Sequence, residues 1–140
     1  VPTPAENKFD NAIAYELFVG RWSCKIAKEF IRWLAVPAER AWLDVGAGTG
    51  IVSDAILQQA NPAKVVGIDT TQAFVTLDQE RIKDPRAQFH VGDAQSLDFI
   101  DLDFDVSVAG LVLNFIPSAQ QAVNNMVRLV KQDGLVAAYV

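Results

Sequence analysis

Leu43-Asp44-Val45-Gly46-Ala47-Gly48-Thr49-Gly50 decides the fold. Ahead of the glycines, Ala41-Trp42-Leu43-Asp44-Val45 is a short apolar run, and after them Ile51, Val52, Ala55 and Ile56 return at helical spacing. A strand therefore feeds a tight turn, and the turn opens a helix. Glycine suits such a turn because a Cβ would block both the reversal and the approach of a ligand to backbone N–H groups. The helix N-terminus adds partial positive charge at the same place. A tight βα turn without a ligand has the same local signature, so the flanking sequence has to discriminate.

Outward from this loop the pattern repeats. Lys64–Asp69 is a second β-branched run, followed by helix-like spacing at Phe74, Leu77 and Ile82 up to Pro85. Ala87–Val91 and Phe104–Ala109 form a third and a fourth run. Ala119, Ala122, Val123, Met126, Val127 and Val130 then predict an amphipathic helix, with Ser118 and Gln121 at capping-box spacing and Asp133-Gly134 as its end. Leu135–Val140 reads as a fifth strand. On the amino-terminal side, Val1–Lys8 reads as a loose arm. Phe9, Ile13 and Leu17 predict one short helix ending near Gly20. Ile26, Ala27, Phe30, Ile31 and Leu34 predict a second, from about Trp22 to Leu34, closed by Pro37. Strands alternating with helices imply parallel βαβ units covered on both faces. The expectation is a single domain over residues 1–140, with helices at about 9–35 and an α/β core at about 41–140.

Composition limits the partners. The chain has 140 residues, 12 basic and 17 acidic, for a net charge of −5. That sign disfavours a phosphate backbone, so no nucleic-acid partner is expected. The single cysteine, Cys24, allows neither an internal disulfide nor a Cys-based zinc site and reads as a small buried hydrophobe. No metal is expected. The apolar stretch around Val106–Ile116 falls well short of the ~20 residues needed to span a bilayer, and the amino-terminal residues do not read as a signal peptide. The cytoplasm is the expected compartment.

Two strand ends carry carboxylates. Asp69 lies about 20 residues past the loop, where a carboxylate can accept hydrogen bonds from both hydroxyls of a ribose; the same residue beside Thr70 and Thr71 also reads as a helix cap. Val91-Gly92-Asp93-Ala94-Gln95 ends the third strand, and Asp93 reads either as a reader of an adenine amino group or as a turn residue. The loop spacing Gly46-x-Gly48-x-Gly50, with Asp44 inside the strand, differs from the G-x-G-x-x-G of dinucleotide-binding turns. No Tyr-x-x-x-Lys pair is present, which also argues against a nicotinamide-dependent oxidoreductase.

In order and spacing, Leu43–Gly50, Val66–Thr70, Gly92–Gln95 and Phe104–Asn114 resemble class I S-adenosylmethionine-dependent methyltransferases, nearest to the branch of ubiquinone- and menaquinone-type enzymes. The arm Tyr15-Glu16-x-x-x-Gly20-Arg21-Trp22-Ser23 is similar to that branch as well. The resemblance implies a three-layer, doubly wound α/β fold with strand order 3-2-1-4-5. It implies that Gly46, Ala47 and Gly48 line the methionine and ribose part of S-adenosylmethionine. Asp69 would hold the ribose hydroxyls, Thr70 would stack beside the adenine, and Asp93 with Ala94 would read its edge. Ala109 would face the amino-acid portion, and Tyr15 or Arg21 would close over the cofactor, Arg21 pairing with its carboxylate.

The implied reaction is methyl transfer to a small-molecule acceptor, with S-adenosylhomocysteine as product. The chain lacks the Asn-Pro-Pro-aromatic motif of amino-methylating nucleic-acid enzymes, reading Leu113-Asn114-Phe115-Ile116-Pro117 instead. Asn114 reads either as a substrate contact or as a turn residue. No catalytic base is evident, and His90 reads as a packed or surface residue. The resemblance also implies two further strands beyond the fifth, so the expectation is the cofactor half of a methyltransferase, inactive as an isolated monomer. The alternative is a non-catalytic cofactor-binding or interaction module. At a sheet edge, Leu135–Val140 carries no charge and no proline, so self-association through it is expected.

Overall fold

Apolar runs and periodic segments alternate as α1 (Pro4–Leu34), β1 (Ala41–Val45), α2 (Ile51–Gln59), β2 (Lys64–Asp69), α3 (Gln72–Arg81), β3 (Ala87–Val91), β4 (Phe104–Gly110), α4 (Ala119–Arg128) and β5 (Val130–Tyr139), with a 3₁₀ turn at Leu113–Phe115. These belong to a computed structural model that describes residues 4–98 and 103–140. The sheet has the order β3-β2-β1-β4-β5, and every neighbouring pair is parallel. This is the doubly wound order expected.

Successive β1 residues supply opposite cores. Leu43 and Val45 pack with Val66, Ile68, Ala109 and the α4 residues Ala122 and Met126. Trp42 packs on the other face with Val65, Val106, Val108, the α1 residues Ala27 and Ile31, and the α2 residue Ile56. Burial on both faces explains why these strands read as continuous apolar runs rather than alternating ones. The order reverses between β1 and its two neighbours, β2 and β4, which opens a crevice at the strand carboxyl ends.

The structure corrects four local expectations. The two amino-terminal helices are one, α1, running through Gly20. A single glycine costs a helix only about 1 kcal/mol, too little to end it when the segment packs on a partner. The expected loose arm is helical from Pro4, a residue that suits a first helical turn; residues 1–3 lie outside the described residues. The helix ends at Leu34, the residue where its spacing stops, and there Ala35 turns left-handed at φ 51° and its N–H donates to the Arg32 carbonyl at 3.1 Å.

Cys24 is exposed rather than buried, and Ile26 is 47% exposed, because the inward stripe of α1 is Ser23, Ala27, Phe30 and Ile31. Finally, α4 ends at Arg128, and Val130 already belongs to β5. The Leu129 carbonyl accepts from the Phe104 N–H at 2.9 Å, which starts the ladder, and the register then shifts between Phe104/Val130 and Val106/Leu135. Asp133-Gly134 therefore lies in a bulge, with Asp133 at φ 65°, and not at a helix end. No helix among the described residues is long and apolar enough to cross a membrane.

Candidate functional site

The glycine-rich loop fills the turn between β1 and α2, and each glycine has a separate reason. A Cβ on Gly46 would meet Val112 Cγ2 at 2.5 Å, so packing excludes it. Gly48 sits at φ +55° and a Cβ there would meet only the Gly46 carbonyl, at 3.9 Å. It faces open space, which is what a ligand approaching the backbone requires. The loop is pinned by backbone bonds from Ala47 N–H to the Ile68 carbonyl at 2.8 Å and from Gly50 N–H to the Ala47 carbonyl at 2.9 Å.

Asp69, at the tip of β2, ties two segments together. Its Oδ2 accepts from the Gly48 N–H and its Oδ1 from the Thr71 N–H, both at 2.9 Å. The cap-like role is thus realised two residues ahead of Thr71, the residue that caps α3. The same carboxylate lines two adjoining cavities, of about 220 and 340 Å³, which also share Gly46, Val112 and Phe115.

The first cavity collects Gly46, Ala47, Gly48 and Asp69. The second collects Gly46, Asp69, Thr70, Asp93 and Ala94. Asp93 is also a turn residue, since its Oδ1 accepts from the Gln95 N–H at 2.9 Å. Seven of the ten residues expected at the site line one or both cavities, two lie elsewhere, and the side chain of the tenth is outside the described residues. Ala109 is buried in the core beside Leu43 and Val45; the wall at the end of β4 is built by Gly110 and Leu111 instead, the latter at φ 56°. Arg21 is exposed on α1 and is not part of either wall. Tyr15 lies on the α1 backbone, and its side chain is outside the described residues.

Several wall residues escaped the sequence reading. Ser23 reaches the first cavity from α1, Phe74 from α3 and Tyr139 from the end of β5. Phe115, 78% exposed, borders both cavities, whereas neighbouring Asn114 is exposed and borders neither. The second cavity adds Gln95, whose Oε1 accepts from the Ser118 N–H at 3.1 Å and so joins the β3 end to the start of α4. Ser118 Oγ accepts from the Gln121 N–H at 3.3 Å, the forward half of the expected capping box; Gln95 supplies the other half. His90 is exposed on β3 and lines neither cavity.

Beneath the loop, Asp44 is fully buried. Its Oδ2 accepts from Ser53 Oγ at 2.6 Å, and its Oδ1 has no hydrogen-bond partner among the described residues. Burial pushes its carboxyl up to about 6, with the Ser53 hydrogen bonds opposing and the Asp69 charge adding to the rise.

A crevice at a topological switch point, a glycine loop open to it and a carboxylate at the next strand tip define a nucleotide-type binding domain. Residues 43–138 match the family model described as a methyltransferase domain, and the chain belongs to that family. It is 32% identical over 114 residues to a demethylmenaquinone methyltransferase of Lactobacillus johnsonii, covering 78% of this chain and 47% of the relative. It is 30% identical over 106 residues to a ubiquinone/menaquinone biosynthesis C-methyltransferase of Dinoroseobacter shibae, covering 73% of this chain and 42% of the relative. The fold is shared with an S-adenosylmethionine-dependent methyltransferase from Clostridium acetobutylicum at a TM-score of 0.75 and 19% identity, over 93% of this chain and 55% of that one. The chain spans about half the length of the curated relatives it matches.

Proposed function

We infer that this domain binds S-adenosylmethionine and serves, in a complete protein, to transfer its methyl group to a small-molecule acceptor of the quinone type. In that reading it works in the cytoplasm, the compartment expected from the sequence. The observation that carries the reading is the Asp69 carboxylate between two cavities, with Gly48 open to the first. The residues fit the cofactor. Asp69 would accept from the ribose hydroxyls, Gly46 to Gly48 would admit the methionine portion beside the N-terminus of α2, and Thr70, Asp93 and Ala94 would surround the adenine.

The bound cofactor supplies an activated methyl on a sulfonium. The chain's own contribution is alignment and exclusion of water by apolar walls such as Val112, Phe115 and Tyr139. Among the described residues no wall residue is a histidine or lysine, and the wall carboxylates Asp69 and Asp93 are assigned to the ribose and the adenine, so no base is assigned.

A second reading is a cofactor-binding module without catalysis. Calorimetry with S-adenosylhomocysteine against NAD tests the binding reading. Tight binding of the first and none of the second is expected, and Gly48→Ala should abolish it. In the free protein that added methyl meets only the Gly46 carbonyl at 3.9 Å, so beyond the roughly 1–2 kcal/mol that a left-handed φ costs alanine, lost binding in a folded variant reports the ligand's need for the space; unchanged affinity would remove the loop from the site. Single-turnover transfer from labelled cofactor to quinone-type acceptors then separates the two readings.

A further inference from the structure

The outward face of α1 carries two stripes that the candidate site does not use. Trp22, Ile26, Glu29 and Trp33 recur at i, i+4, i+7 and i+11, and Arg21, Lys25, Lys28 and Arg32 recur at the same spacing one residue earlier. At about 100° per residue, the two stripes run side by side along the carboxyl-terminal part of the helix. The inward stripe of Ser23, Ala27, Phe30 and Ile31 holds α1 against the core, so the other two are turned outward. Trp22, Ile26 and Trp33 are exposed, as are Arg21, Lys25 and Arg32, with Lys28 half-buried.

One lane of this face is apolar and the next is basic. Trp22, Ile26, Phe30, Trp33 and Tyr139 line a single shallow groove, and Phe30 meets Tyr139 edge to face at 4.7 Å between ring centroids. Lys25 and Glu29 are the charged residues at its border. Lys25 Nζ lies 5.4 Å from the centroid of the Trp22 ring, so cation and aromatic belong to one surface. Glu29 is paired with Arg32 at 2.6 Å. Between Arg21 and Leu34 four basic residues face one acidic residue, in a chain whose net charge is −5. Positive charge is therefore gathered on this face, and the remainder of the chain is acidic.

We propose that this face docks on an anionic lipid bilayer, with Trp22 and Trp33 in the boundary between headgroups and acyl chains and the basic stripe on the headgroups. Tryptophan beside lysine and arginine on one helix face is the composition of an interfacial helix, which lies on a membrane and does not span it. Charge selects this occupant over a second copy of the chain. Two copies seated face to face would bring two basic stripes together, whereas an anionic surface complements them. The acidic remainder is repelled by the same surface, so attraction and repulsion together fix which side of the molecule meets the lipid. Docking also sets the first cavity at the membrane. Tyr139 lines both groove and cavity, and Ser23 of the cavity wall directly follows Trp22 of the groove. A quinone-type acceptor dissolved in the bilayer then has a short route to the cavity; this consequence, unlike the docking itself, rests on the function proposed above.

The test is flotation of the chain with vesicles of phosphatidylcholine alone and of equimolar phosphatidylcholine and phosphatidylglycerol, with tryptophan emission recorded on the same samples. Binding to the anionic vesicles is expected, weakening as salt is raised, with a blue shift from Trp22 and Trp33. Lys25→Ala should weaken binding about fivefold, the worth of one basic residue at such a surface. Trp33→Ser should weaken it on the order of tenfold and reduce the blue shift. Both side chains are exposed, so both variants should fold, which circular dichroism checks. Lys83→Ala, an exposed basic residue beside β3 at the opposite edge of the sheet, should change nothing. No binding, equal binding to both vesicles, or unchanged binding in Lys25→Ala and Trp33→Ser overturns the proposal. So does association between copies that Trp33→Ser abolishes while vesicles capture nothing, or capture by a single-stranded oligonucleotide that vesicles do not displace. The vesicle assay contains no cofactor, so its failure leaves the S-adenosylmethionine reading standing, and failed calorimetry with S-adenosylhomocysteine leaves the docking standing.

Discussion

At the scale of single residues, Asp69 does two things with one carboxylate. In the free protein both oxygens accept backbone N–H groups, from Gly48 and from Thr71, so the residue shapes the loop that it is expected to share with the ribose. Asp69→Ala should therefore lower stability by about 1–2 kcal/mol as well as weaken S-adenosylhomocysteine binding by about 1–3 kcal/mol. Asp69→Asn keeps one acceptor and should lose less stability. Denaturant titration and calorimetry on the same samples separate the two effects, and a binding change within titration error would remove Asp69 from the ribose. Asp44 makes a different prediction, for stability against pH. Its folded carboxyl, raised to about 6 from 3.8 by burial, holds a proton that the unfolded chain releases, so stability falls as pH climbs from about 4 to about 6. Two pK units correspond to on the order of 3 kcal/mol. Asp84 and Asp105 act in the opposite sense. Hydrogen bonds from Arg86 lower Asp84 to about 2, and the Ala41 N–H lowers Asp105, so their contribution is lost as pH falls below about 4. Melting temperature should peak between about pH 4 and 5, and Asp44→Asn should erase the decline on the alkaline side. A decline that persists in that variant belongs to another group.

Among the elements, the legible ones were those whose burial is local in sequence. β1 and β2 follow from short apolar runs because both faces of the sheet are covered there, α2 follows from its helical spacing, and β3, an edge strand with only Phe89 buried, follows from the turn residues that bound it. The misread boundaries are those decided by distant partners. Nothing near Val130 in the chain announces that it leaves α4; the cause is Phe104, 26 residues earlier, whose N–H takes the Leu129 carbonyl. Asp105 then holds the start of β1 through the Ala41 N–H at 2.8 Å and approaches Lys131 Nζ at 3.4 Å, so the bulge of β5 is anchored from β4. Gly134 is the residue this bulge depends on. A Cβ there would overlap Val130 Cγ1 and come within 2.9 Å of the Asp105 and Lys131 carbonyls. Gly134→Ala should cost about 1–3 kcal/mol, the range for overpacking, measured by denaturant unfolding. A neutral result would mean that the bulge relaxes freely. In the candidate site the same contrast holds. Gly46, Gly48 and Asp69 announce themselves by residue type at a strand end, whereas Ser23, Phe74 and Tyr139 carry no such signal and meet only because α1, α3 and β5 converge on one crevice.

For the whole molecule, the side of the sheet beyond β5 decides how the chain behaves in solution. β5 pairs with β4 alone, so its outer edge presents backbone donors and acceptors without a strand partner among the described residues. Leu135–Tyr139 has no charge and no proline to blunt that edge. Beside it, α1 displays Trp22 at 65% and Trp33 at 77% exposure, which with Ile26, Phe30 and Tyr139 outline an apolar groove of about 470 Å³. An uncharged edge next to a tryptophan-bearing face is a combination that stable monomers avoid. Sedimentation velocity should show concentration-dependent association. Two variants divide the causes: Ala138→Lys places a charge on an exposed edge position, and Trp33→Glu breaks the apolar face without touching the ladder. If strand pairing drives association, Ala138→Lys restores the monomer and Trp33→Glu does not; if the helix face drives it, the reverse holds. Because both positions lie away from the cavity walls, S-adenosylhomocysteine binding should survive in each. A wild-type chain that sediments as a monomer at every concentration would show that neither surface is sticky enough to act alone.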